Sequence, residues 1–246
     1  MKLILQIIKK DLRRYRWTIG LWAASFLYGQ LQPFVAYNEL PNLSFADFFK
    51  LASGGLFLAL TFLLVAGLIQ EDSPEEDQGA WRTRPISAGH MLAAKLLLIV
   101  SLFVVVPVSV VWGRTWFVPV GATDAFTVVG FTALAAFGLC LSFAAVAACT
   151  RSLRQCMITW LGIAIVTLVM AVGLDRVAPQ LSRFEAMQLV GTKASLILGV
   201  SSLVAIIVLL NQYLWRRQVV SFVLLATWSI GSAVIATLWT WNIYGG

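Results

Sequence analysis

Few residues in this chain can do chemistry, and they are unevenly placed. His90 is the single histidine. With Cys140, Cys149 and Cys156 it supplies too few ligands for a metal cluster, and the odd cysteine count without paired spacing argues against a disulfide framework. The apolar runs hold no pair of carboxylates, so general acid–base catalysis and a proton relay both lack their groups. "GTK" at 191–193 lacks the first glycine and the Ser/Thr of a phosphate-binding loop. The chain is therefore expected to be no enzyme and to carry no metal or cofactor. The concentrated chemistry is in "QEDSPEEDQGAWRTRPIS", residues 70–87. Five of the 11 acidic residues, Glu71, Asp72, Glu75, Glu76 and Asp77, fall within seven positions there, and Trp81, Arg82, Arg84 and Pro85 follow.

This segment predicts a short helix over 74–83. Ser73 suits the N-cap, Pro74 the first helical position, and Glu76 completes a capping box. Acids at the start and Arg82 and Arg84 at the end suit the helix dipole. Pro85 ends the run, and Ser87 caps a following helix. Asp77, Gln78, Trp81 and Arg84 share one side of the 74–83 helix. Two readings of that patch stand: a docking surface anchored by Trp81 in a protein groove, or a solvated charged loop with Trp81 at the lipid interface.

The elements that must position this segment are apolar. The chain is 60% hydrophobic and only 12% charged, about half the usual charged share of a globular domain. A chain of 246 residues cannot bury that much apolar surface in one core. The expected fold is all-α: a polytopic membrane helical bundle of about seven transmembrane helices. The runs are 17–37, 51–70, 92–112, 126–148, 157–174, 194–214 and 219–241, each near the roughly 20 residues needed to cross a bilayer. Lys95 is the one charge within a run, and it is expected to snorkel to the interface. Pro33 and Pro107 should bend their helices. Gly138 with Ser142, and Ala144 with Ala148, predict close helix packing. Gln30, Gln32, Asn211 and Gln212 are polar groups near run ends; such groups line pathways or bind helices together, and positions so near the ends favour interfacial placement. With the N-terminus inside, the inner segments hold thirteen Lys and Arg and the outer ones five. This predicts a multi-pass cell-membrane protein, N-terminus cytosolic and C-terminus outside. The outer loop 175–193 has a capping box at Ser182 and Glu185, with Leu181, Phe184, Met187 and Val190 able to pack inward, and reads as an ordinary surface helix or loop.

The first 16 residues read as an amphipathic helix in the inner interface. Leu3, Ile4, Ile7, Ile8, Leu12 and Tyr15 fall on one side. Lys9, Lys10, Arg13 and Arg14 fall on the other, toward anionic headgroups.

The string G-x-W-x-T-R-P-I-S from Gly79 to Ser87, then Lys95 ten residues after Pro85, resembles the first cytosolic loop of type-2 ABC (ATP-binding cassette) exporter permeases. The amphipathic arm, six following spans and the short basic loop "TRSLRQ" are also similar, so the resemblance covers roughly residues 1–214. It implies three parts: the arm (1–16), a six-span domain (17–214) with a coupling helix at 74–83, and an extra span and tail (215–246). It implies that Glu75, Glu76, Asp77, Gln78, Trp81, Arg82, Arg84, Pro85 and Ser87 bind a separate ATPase subunit. It further implies a second permease subunit, as a homo- or heterodimer, in the lipid bilayer. For the 175–193 loop it implies instead a helical hairpin dipping toward the membrane. No nucleic-acid partner is expected. The Gly79–Pro85 gap is shorter than the family's usual one, and the seventh span is additional. The alternative reading is a non-transporting membrane adaptor whose acidic loop recruits a cytosolic partner.

Overall fold

The structure is a computed structural model. It describes residues 2–35, 44–71, 87–117, 121–150, 152–175, 183–215 and 217–244. Every regular element among them is helical: α1 (Lys2–Arg14), α2 (Arg16–Val35), α3 (Ser44–Gln70), α4 (Ala88–Val100), α5 (Val106–Thr115), α6 (Ala122–Cys149), α7 (Leu153–Asp175), α8 (Arg183–Leu210) and α9 (Gln218–Tyr244). Two π-helical turns, Ser101–Val105 and Asn211–Trp215, join α4 to α5 and extend α8. Among the described residues, four stretches are long and apolar enough to cross a membrane: Ser53–Gln70, Ala88–Thr115, Thr123–Cys149 and Ser195–Trp215. In hydrocarbon each backbone N–H and C=O must be satisfied within its own segment, and a continuous apolar run achieves this only as a helix.

Pro107 accounts for the first π turn. A proline ring lacks the N–H of an α-helical bond and crowds the carbonyl four residues back. The helix widens over the five residues just ahead of it. Pro33 instead lies near the end of α2, which continues to Val35.

The core is built on α3, α6 and α8, from residues such as Leu64 and Ile69, Leu141 and Ala145, and Val208 and Leu209. The small residues of α6 permit this. A Cβ added at Gly138 would sit 3.2 Å from both the Leu198 carbonyl oxygen and Ser202 Oγ, so α8 passes close enough that a methyl group there would crowd it. Ala144, Ala145, Ala147 and Ala148 are buried on the same helix. Trp22 fixes α2 to this core. Its Nε1–H donates to Thr61 Oγ1 at 2.9 Å, and its ring meets Phe103 edge-on at 4.9 Å. On the other flank α9 packs against α7 and α8, and Trp228 Nε1–H donates to Ser201 Oγ at 2.8 Å.

Burial is strongest at the end of the bundle that carries Ile69, Lys95, Cys149 and Gln212. Toward the opposite end Leu56, Leu58, Phe126 and Val128 are exposed. The outer-loop expectation is revised. α8 begins at Arg183 and runs unbroken toward the membrane stretch, so Phe184, Met187 and Val190 belong to a long helix, not to a hairpin or a separate surface helix. Leu181 and Ser182 lie outside the described residues.

Candidate functional site

The site is where α1 meets the C-terminal end of α3 and the N-terminal end of α4. α1 forms because "KLILQIIKKDLRR" repeats its apolar residues at helical spacing and ends on Arg13 and Arg14, which complement the dipole at a C-terminus. Ile8 and Tyr15 pack against the core. Between them on the same face is Asp11, which is 1% exposed. Its Oδ2 lies 3.0 Å from Nζ of Lys95, which is 0% exposed.

This overturns the expectation for Lys95. The ammonium does not reach for water, because a carboxylate from α1 reaches it instead. Removing two charges from water costs several kcal/mol per ion, and only a close counter-charge offsets that. The single acid on the apolar face of a basic arm and the single base in an apolar run are therefore partners.

Glu71, the residue after α3, makes the second junction. It pairs with Arg14 and, at 3.3 Å, with Lys10. Both basic side chains are about half exposed or more, so these pairs are weaker than the buried one. Tyr15 lies against α3, where a Cβ on Gly67 would come within 3.0 Å of its hydroxyl oxygen. Burial, then the negative charge of Glu71, pushes the Tyr15 phenol from 10.0 up to about 12.

α4 starts at Ser87, whose Oγ accepts the His90 backbone N–H at 3.3 Å and contacts His90 Nδ1. Ser87 is thus the N-cap, as its sequence context predicts. The other expected partner-binding residues, Glu75, Glu76, Asp77, Gln78, Trp81, Arg82, Arg84 and Pro85, lie outside the described residues, as does the whole 74–83 helix. The structure does place both borders of that segment. Glu71 on one side and α4 on the other are each held by α1.

The end of α3 also reaches the α6–α7 connection, since Gln70 Nε2 donates to Thr150 Oγ1 at 3.0 Å. Behind it, Tyr213 Oη–H donates to the Ile69 carbonyl at 3.4 Å and Asn211 Nδ2 to Ser221 Oγ at 3.1 Å. Asn211 and Gln212 are 5% and 2% exposed, so of the two readings helix binding holds and the favoured interfacial placement does not. Amides at these positions satisfy one another's helices inside the bundle. Gln30 likewise accepts from Arg114 at 3.0 Å, tying α2 to α5. Gln32 is outside the described side chains.

Sequence reasoning missed Asp11 as a site residue. The signal was present: Asp11 is three residues after Ile8 and four before Tyr15, on the face otherwise read as apolar. None of the three cysteines is in a disulfide. Among the described residues no group of three or more potential ligands could hold a metal.

The described residues form an all-helical fold with four stretches long and apolar enough to cross a membrane and a charged junction at one end. No family model, no curated protein and no solved structure matches the chain.

Proposed function

We propose that the chain is the transmembrane permease subunit of an ABC-type exporter. It forms the translocation pathway, binds no nucleotide itself, and couples to a separate ATPase through residues 74–83. A second permease subunit completes the pathway. The supporting observation is that one helix, α1, grips both borders of the 72–86 segment, through Glu71 and through Lys95. A segment anchored in that way passes a displacement to α3 and α4 together, which is what coupling requires. In this reading seven helices cross the membrane with the N-terminus cytosolic, and α1 lies at the inner interface with its basic side toward headgroups.

The deciding measurement is the affinity of purified chain for a co-expressed candidate ATPase subunit. A buried Trp at an interface centre commonly contributes about 2 kcal/mol or more, so Trp81→Ala should weaken binding roughly thirtyfold. Replacing Glu75, Glu76 and Asp77 with Gln should cost less at equilibrium but flatten the salt dependence of association. Parental affinity in Trp81→Ala would remove the docking role.

A further inference from the structure

α1 sits at the level where the apolar stretches of the bundle stop. Ser53–Gln70, Thr123–Cys149 and Ser195–Trp215 end there, and Ala88–Thr115 begins there. Contacts hold these ends together: Gln70 with Thr150, Tyr213 with Ile69, Gln212 with Cys149, and α1 itself with Glu71 and Lys95. Trp17 and Trp215 are exposed at this level, where tryptophans gather as hydrocarbon gives way to headgroups. On α1, Ile8, Asp11 and Tyr15 turn to the bundle. Lys9, Lys10, Arg13 and Arg14 are exposed. Leu5 is exposed beside them, and so is Leu12, which spacing alone assigns to the inward face. Residues 9–16 thus carry five cations against one acid, Asp11, which is committed to Lys95.

We propose that this face of α1 binds anionic phospholipid, and that the lipid competes with Glu71 for Lys10 and Arg14. Headgroup phosphates match Lys9 in charge and Arg13 in both charge and geometry. Leu5 and Leu12 dip into the acyl boundary beside them, a use for exposed leucines that neither a free anion nor an acidic protein surface supplies. The two anchors of α1 differ in their reach. Lys10 and Arg14 are about half exposed or more, so headgroups reach the Glu71 pairs. Asp11 and Lys95 are sealed, so headgroups do not reach that pair. An anionic leaflet therefore loosens Glu71 while α1 stays docked through Asp11. The charge of the leaflet sets how firmly one border of the 72–86 segment is held. The inference rests on α1 lying at the membrane interface but not on an ATPase partner. Its test contains no ATPase, so it stands if the exporter reading fails.

Full-length protein is placed in nanodiscs of mixed phosphatidylcholine and phosphatidylglycerol, released, and weighed with its retained lipid by native mass spectrometry. The parent should retain phosphatidylglycerol in preference. Cations near an anionic surface contribute about 1 kcal/mol each, so Lys9→Gln with Arg13→Gln should lower that preference by about tenfold or more. Both side chains are exposed, so the variant should fold as the parent does. Leu5→Ser with Leu12→Ser should also weaken phosphatidylglycerol retention. No preference in the parent, or an unchanged preference in the Lys9 and Arg13 variant, overturns the lipid site. Unchanged retention in the leucine variant overturns the insertion of the apolar edge. The competition is read from a double-mutant cycle on Arg14→Gln and Glu71→Gln, melted in nanodiscs of each lipid alone. Their coupling should be present in phosphatidylcholine and fall by about half or more in phosphatidylglycerol, where lipid anions screen and occupy the cations. Equal coupling in the two lipids, including none in either, overturns the competition.

Discussion

At the scale of residues, the Asp11–Lys95 pair sets the sharpest expectation. Removing one partner leaves the other charge buried and alone, which typically costs about 3–5 kcal/mol, whereas replacing both by apolar groups of similar volume is often neutral. Lys95→Met should therefore lower thermal stability in detergent strongly, and Asp11→Leu combined with Lys95→Met should restore most of it. Equal losses in the single and double variants would mean the two charges act independently. Tyr15 gives a pH signature. Its phenol holds its proton more tightly when α1 is docked, with a pKa of about 12 against the ordinary 10.0. The contribution is present below pH 10 and is lost as pH rises toward 12, because the released state gives up the proton first. Trp17, which is 79% exposed just beyond Tyr15, can report this undocking by fluorescence. Tyr15→Phe should lack that alkaline transition.

At the scale of elements, the close approach of α6 and α8 rests on Gly138. Part of the obstruction to a Cβ there is the Leu198 carbonyl, which is backbone and cannot swing aside. Gly138→Ala should destabilise the bundle by about 1–3 kcal/mol, as overpacking does, and a thermal melt against the parent measures it. The four-residue spacing of Gly138 and Ser142 made this approach legible before any coordinates, since small residues at that interval have few other uses in an apolar helix. All seven apolar runs likewise coincide with helices where they are described, and among the described residues four stretches are long and apolar enough to cross a membrane. The misreadings have a common physical cause. Lys95, Asn211 and Gln212 were placed by their distance from a run's end, a one-dimensional measure. Their partners Asp11, Ser221 and Cys149 belong to other helices, and only packing brings them together. The π turn at Ser101–Val105 was legible only as an expected disturbance near Pro107.

At the scale of the whole molecule, the charge asymmetry of the loops and the burial asymmetry of the bundle pick out the same end. The thirteen-to-five division of Lys and Arg would put the α1 end in the cytosol. On a cysteine-free background, Gln78→Cys should be labelled by an impermeant reagent only from the cytosolic side and Glu185→Cys only from outside. Labelling of both from one side would rule out an odd number of crossings between them. The long helix through α4 and α5 adds something to that picture. Met91, Lys95, Ile99, Phe103 and Pro107, every fourth residue along it, are all buried. In a regular α-helix a four-residue stripe winds around the rod by about 40° per step. The widened turn takes up much of that winding, so the buried residues form a seam that stays close to one side, like a keel. A rod with a straight keel resists being screwed through its neighbours but can still tip. A tug on the Lys95 end would therefore reach the Thr115 end of the rod as tilt and not as rotation.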